Sequence, residues 1–79
     1  MYYVYLLRSE SYPAQTYIGY TGDLRQRLTT HNAGGSSHTS KYRPWCLVTY
    51  LGFSEKSKAT AFEKYLKSHS GKAFARKRL

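Results

Sequence analysis

Residues 2–7, Tyr-Tyr-Val-Tyr-Leu-Leu, leave a β-strand with no polar side. Successive side chains of a strand point to opposite faces. Tyr3, Tyr5 and Leu7 therefore share one face, and Tyr2, Val4 and Leu6 the other. Both faces need cover from water, which argues for a small sheet with helices on both sides. A second run suited to a strand, Thr16 to Tyr20, carries Tyr17-Ile18-Gly19. Between the two runs lie Ser, Pro and a charge, the composition of the connection in an antiparallel pair. A Gly inside a strand marks close approach of another backbone or a ligand, and Gly19 is expected to admit one.

Thr21-Gly22-Asp23 ends the second strand, and Asp23 is placed to cap a helix from Leu24 to His31 or Asn32. At about 100° per residue, Leu24 and Leu28 form a core stripe with Arg27 and His31 beside it. Gly34 or Gly35 can end that helix. The loop that follows is polar and basic and is expected to be mobile, with His38 and Lys41 as further candidate contacts. A third strand from Trp45 to Gly52 is the most apolar run and is expected at or near the sheet centre. Strict alternation puts Trp45, Leu47, Thr49 and Leu51 on one of its faces and Cys46, Val48 and Tyr50 on the other.

Ser54 can cap the next helix, with Glu55 in its first turn and an end near Ser68. Its inner face is predicted to hold Ala59, Phe62, Tyr65, Leu66 and His69. Glu63 flanks that face, one turn before Lys67, where a plain surface ion pair could form. Ser70-Gly71 is predicted to break the helix before a last short one over Lys72 to Leu79. The predicted fold is α/β (α+β): a small three-stranded, largely antiparallel sheet flanked by helices, in the order β-β-α-β-α-α. It forms one domain over residues 1–79.

Thirteen Lys and Arg against four acids give a formal charge of +9. Such an excess on a small surface attracts polyanions, nucleic acid foremost. Arg25, Lys41, Lys72, Arg76 and Lys77 are the candidate contacts. One cysteine, Cys46, permits no internal disulfide, and the three histidines lack zinc-site spacing. Neither a signal peptide nor a membrane-spanning run is visible, so a cytoplasmic protein without membrane contact is expected. The acids are Glu10, Asp23, Glu55 and Glu63. These are too few for a carboxylate-bridged two-metal site, and they suit one ion held in the manner of Mg²⁺.

Tyr3-Val4-Tyr5, Tyr17-Ile18-Gly19, Asp23-Leu24, Arg27, His31, Pro44-Trp45 and Glu63 follow one another in an order that resembles the GIY-YIG nuclease superfamily. The likeness is to its small stand-alone bacterial members and the catalytic domain of UvrC-type repair nucleases. The resemblance implies a divalent-metal-dependent DNA endonuclease of low sequence specificity, acting in repair or recombination through in-line attack of water. It makes Tyr5 the general base or the group that orders the water, and Tyr17 a lining group that holds phosphate or water, with Gly19 letting the site approach the DNA backbone. It has Arg27 stabilise the phosphate charge, His31 assist the tyrosine or relay its proton, and Glu63 ligate one Mg²⁺ or Mn²⁺. Arg27 and the ion are expected to lower the pKa of Tyr5, since a phenol near 10 is a poor base at neutral pH. No small-molecule cofactor is implied, and room is left for a separate protein that supplies DNA targeting. This chain has Tyr3 where the family name has Gly. It also lacks the Asn that many relatives place after the metal-binding Glu, since its one Asn is Asn32. That absence keeps a second reading open, a weakly active or inactive nucleic-acid-binding module of the same fold.

Overall fold

The run that is apolar on both sides becomes the middle of the sheet. The computed structural model describes residues 1–35 and 37–79. Strand β1 (Tyr2–Ser9) pairs antiparallel with β2 (Thr16–Thr21) on one side and with β3 (Trp45–Phe53) on the other. Three helices follow the expected order, α1 (Leu24–Asn32), α2 (Lys56–Leu66) and α3 (His69–Arg78), with a short 3₁₀ turn at Ser40–Tyr42. The strand order is β2-β1-β3, so β1 and not β3 is central. Burial explains the difference. Val4, Tyr5, Leu6 and Leu7 are all buried, covering both faces of β1, whereas Cys46, Tyr50 and Gly52 of β3 are exposed.

Each face of β1 builds its own core. Val4 packs with Ala59 and Leu66, flanked by Ile18, Phe53, Phe62 and Phe74, under α2 and α3. Tyr5 and Leu7 pack with Trp45, flanked by Leu24, Leu28 and Leu47, under α1. Complete burial of a residue such as Leu7 contributes roughly 1.5–3 kcal/mol.

A bulge breaks the alternation predicted for β3. Leu6 faces Thr49 and Leu7 faces Leu47, which leaves Val48 as the extra residue. Trp45 and Leu47 keep the face of Leu7. Beyond the bulge Tyr50 stands opposite Tyr5 and its ring meets Tyr3 edge-on at 5.8 Å. Leu51, predicted to share a face with Leu47, instead stands opposite Val4 on the α2 side.

Asp23 caps α1 as expected, its carboxylate accepting the Gln26 N–H at 3.0 Å. Gly34, with φ of 82°, follows the C-cap residue Ala33 in the left-handed region. The second helix differs from expectation at both ends. Glu55 rather than Ser54 is its N-cap, and the Glu55 carboxylate pairs with Lys58 at 3.1 Å instead of bonding the helix end. It stops at Leu66, because Ser68 caps α3 by accepting the Gly71 N–H at 3.1 Å. Gly71 therefore does not break a helix. It lies buried in the first turn of α3, where a Cβ would collide with the Tyr65 carbonyl. His69 is consequently exposed at the start of α3 rather than on an inner face. Among the described residues, no helix is long and apolar enough to cross a membrane.

Candidate active site

Three elements converge on the α1 face of the sheet. Tyr5 comes from the middle of β1, Tyr17 from β2, and Arg27 and His31 from successive turns of α1. The Tyr5 Oη lies 2.9 Å from His31 Nε2, and both residues are buried, at 2% and 1% exposure. The Tyr17 ring is half-buried beside them, its centroid 4.9 Å from that of His31 and 6.3 Å from that of Tyr5. The wheel that put Arg27 and His31 beside the leucine stripe is borne out. His31 is the buried residue of α1, while Arg27 reaches solvent.

Gly19 is also buried, directly across the ladder from Tyr5. The space a Cβ would fill there is taken by the Tyr5 phenol. The close approach that calls for Gly is thus made within the chain, by Tyr5.

The electrostatics also differ from expectation. Burial, followed by the neighbouring Tyr17, pushes the Tyr5 phenol up to about 12. Arg27 pulls it down and the Glu63 charge pushes it up, but burial dominates. A standing phenolate at neutral pH is therefore disfavoured in the free protein. Burial, aided by the Arg27 charge, holds His31 below its ordinary 6.5, so the imidazole is neutral at pH 7. A neutral imidazole can accept a proton; an imidazolium cannot.

The loop expected to be mobile is pinned to this cluster. Thr39 Oγ1 lies 2.8 Å from His31 Nδ1, and Thr39 is 1% exposed. Its carbonyl accepts the Trp45 indole N–H at 2.8 Å. The Ser9 hydroxyl donates to the Tyr42 carbonyl at 2.6 Å. Asn32 brackets the Trp45 backbone, accepting its N–H at 2.5 Å and donating to its carbonyl at 3.1 Å. The residue of this loop that reaches the site is Thr39, and its neighbours His38 and Lys41 are exposed. No periodicity marks a Thr in a polar loop, so this contact had no signal in the sequence beyond its place before Pro44-Trp45.

Glu63 stands on α2, its side chain 23% exposed and paired with Lys67 at 3.0 Å. Its charge raises the Tyr5 pKa from a helix that packs on the Val4 face of the sheet. Among the described residues, no three His, Cys, Asp or Glu side chains gather into a ligand cage. A lone, half-buried carboxylate fits an ion that keeps most of its waters and takes substrate phosphate as a further ligand.

Lys67 also lines a groove of about 620 Å³ beside Tyr17, together with Arg8, Lys72 and Arg76 over a floor that includes Leu6 and Ile18. Lys72 and Arg76 thus share a groove on the Val4 side of the sheet, which meets the tyrosine cluster at Tyr17. Lys77 is exposed on α3 outside that lining. Arg25 lines a different cleft, between Tyr3 and Tyr50. Lys41 sits with its Nζ 5.6 Å from the Tyr42 ring centroid.

The model of the GIY-YIG catalytic domain matches residues 1–78. The UPF0213 protein of Streptococcus pneumoniae is 43% identical over 68 residues, covering 82% of this chain and 65% of that one. That of Staphylococcus haemolyticus is 39% identical over 70 residues, covering 87% and 83%. The structure-specific endonuclease subunit SLX1 homolog of Giardia intestinalis is 40% identical over 65 residues, or 77% of this chain, but the match spans only 18% of that protein's length. The solution structure of the UPF0213 protein BH0048 from Bacillus halodurans superposes with a TM-score of 0.58 at 31% identity, covering 98% of this chain and 84% of that one. With that match running nearly end to end, and with Tyr5, Tyr17, Arg27 and His31 gathered on one face of its sheet, the chain belongs to the GIY-YIG catalytic domain family.

Proposed function

We propose that this chain is a DNA endonuclease that hydrolyses phosphodiester bonds with one divalent ion, Mg²⁺ or Mn²⁺, and with low sequence specificity. The observation that carries the reading is the buried hydrogen bond between Tyr5 and His31, beside Tyr17 and Arg27. It supplies a path for a proton. An attacking water gives its proton to Tyr5 Oη as the Tyr5 proton passes to His31 Nε2, so the phenol never has to stand free as an anion. This accommodates the raised Tyr5 pKa, and the neutral His31 is the acceptor that the path requires. Arg27 offers a fork of donors to the phosphate oxygens as charge develops there. Glu63 would hold the ion after exchanging its Lys67 partner. When bound, the ion supplies charge neutralisation at the phosphate. Lys72 and Arg76 hold the flanking strand through its phosphates.

The SLX1 relatives are named structure-specific endonuclease subunits, and the word subunit supports targeting supplied by a separate protein; a role in repair or recombination is part of the same proposal. This chain spans 18% of the Giardia subunit and 15% of the Malassezia globosa one, so their whole activity is carried over only as part of this proposal. A second reading, a binding module without efficient cutting, draws on the absence of an Asn after Glu63 and on the pairing of Glu63 with Lys67.

The test is incubation with supercoiled plasmid and Mg²⁺ or Mn²⁺, beside Glu63→Ala. Nicking by the wild type and its loss in the variant, with DNA affinity retained, is the expected outcome. Tight, salt-sensitive binding without nicking would replace the enzyme by the binding module. Equal nicking by both proteins would refute the metal assignment.

A further inference from the structure

We propose that Thr39 is a positioning residue that holds His31 in the tautomer able to receive the Tyr5 proton. The inference rests on the nuclease reading for its catalytic consequence, but its geometry stands independently. A neutral phenol has one proton to donate. Among the described residues, the acceptor within reach of Tyr5 Oη is His31 Nε2, at 2.9 Å. Arg27 offers only donors, and Tyr17 and Glu63 act on Tyr5 through charge alone. With the phenol as donor, Nε2 carries no proton, and the single ring proton of a neutral His31 sits on Nδ1. The atom facing Nδ1 is Thr39 Oγ1, at 2.8 Å. In this tautomer the hydroxyl accepts that N–H.

Removing the acceptor would reverse the preference. Without Oγ1, an Nδ1–H would be a buried donor with no partner, which is costly. The Nε2–H form would then be favoured, because Tyr5 Oη can accept from it. In that form His31 has no lone pair toward Tyr5, and the proton path is closed.

Thr39 is well fixed for this task. The Trp45 indole N–H holds its carbonyl at 2.8 Å, and Asn32 clamps the Trp45 backbone to the end of the helix that carries His31. Thr39 and His31 are thus tied to each other directly and again through Trp45 and Asn32. Partners that orient a functional histidine through its second nitrogen commonly affect activity by about 10–100-fold.

The experiment uses the full chain labelled with ¹⁵N and reads the two ring-nitrogen shifts of His31 at neutral pH. The wild type is expected to show a protonated Nδ1 and an unprotonated Nε2. Thr39→Ser should keep both that signature and plasmid nicking. Thr39→Val should lose the Nδ1–H signature, with kcat falling 10-fold or more and DNA affinity within twofold of wild type. A wild type protonated on Nε2 overturns the proposal without recourse to any variant, so a Thr39→Val protein that fails to fold leaves it falsifiable. A folded Thr39→Val that keeps Nδ1–H, or that keeps wild-type kcat, also overturns it. If the signature behaves as expected in a chain that cuts no DNA, tautomer control is upheld and the nuclease reading fails.

Discussion

Replacing Gly19 by Ala tests whether the site depends on how closely Tyr5 crosses β2. A Cβ built on Gly19 stands inside the 3.0 Å that real Cβ atoms essentially never enter, against both Oη and Cζ of Tyr5, and 3.0 Å from Tyr17 Cε2. To regain ordinary contact the phenol must retreat by about 1 Å. It cannot do so freely, because it is wedged among His31, Tyr17 and Trp45 at 2% exposure. Overpacking of this kind costs roughly 1–3 kcal/mol. Losing the 2.9 Å bond to His31 adds about 1 kcal/mol, and more if the ring nitrogen stays buried without a partner. The expected loss is therefore about 2–4 kcal/mol in a domain whose whole stability is on the order of 4–12 kcal/mol. A 1 Å displacement of a reacting group costs on the order of 10²-fold in rate. Urea unfolding measures the first quantity and plasmid nicking by the folded fraction the second. Gly22→Ala is the control, since a Cβ there meets nothing within 4 Å. A Gly19→Ala protein within about 0.5 kcal/mol of wild type, with unchanged kcat, would refute the argument.

The raised Tyr5 pKa predicts that one of nine tyrosines titrates last, near 12, in an ultraviolet pH titration, and that Tyr5→Phe removes that step. The same shift contributes about 2–3 kcal/mol of stability, fully present below pH 10 and lost as pH rises toward 12. His31 is depressed, so its stabilising contribution is present above pH 6.5 and is lost as pH falls through its lower folded value. Unfolding curves in chelator should show that acid-side loss in the wild type and not in His31→Gln. Lys72→Ala with Arg76→Ala should weaken binding to any DNA sequence and flatten the salt dependence by about two phosphate contacts. An unaltered slope would remove the groove from the DNA surface.

The parts legible in the sequence are those that periodicity and caps control. The two-sided apolar run predicted a sheet covered on both faces, and the 100° wheel predicted a His beside the leucines of α1. Asp23 named its own helix start. What escaped had no local signature. The bulge at Val48 arises from pairing with β1, which no pattern within β3 reveals. The break at Ser68 is set by a serine side chain reaching Gly71 and by the tight contact of Gly71 with Tyr65. Strand order escaped because β3 is as apolar as β1, and only the second buried face separates them. In the site, residue types pointed to Tyr5 and His31, but the direction of the Tyr5 pKa did not follow from types. The resemblance placed Arg27 nearby, and burial outweighed it.

That last difference decides how the chemistry can run. A base that works as a standing phenolate wants exposure and positive neighbours, and Tyr5 has the second without the first. Burial at the centre of a three-stranded sheet is unavoidable for a side chain in the middle of β1 on the α1 face. In the free protein the fold therefore disfavours a standing phenolate there; on the proposed tautomer it offers a phenol whose proton points at a buried, neutral imidazole. Such a pair moves a proton only when another arrives, which ties its chemistry to the presence of an attacking water. The two readings then predict different pH dependences for nicking at saturating ion. A phenolate base requires a rate that climbs tenfold per pH unit from 7 toward the Tyr5 pKa. A relay through His31 requires a rate that rises only up to the lowered His31 value and is level from about pH 7 to 9. A steady climb across that interval would overturn the relay and return Tyr5 to the role of a conventional base.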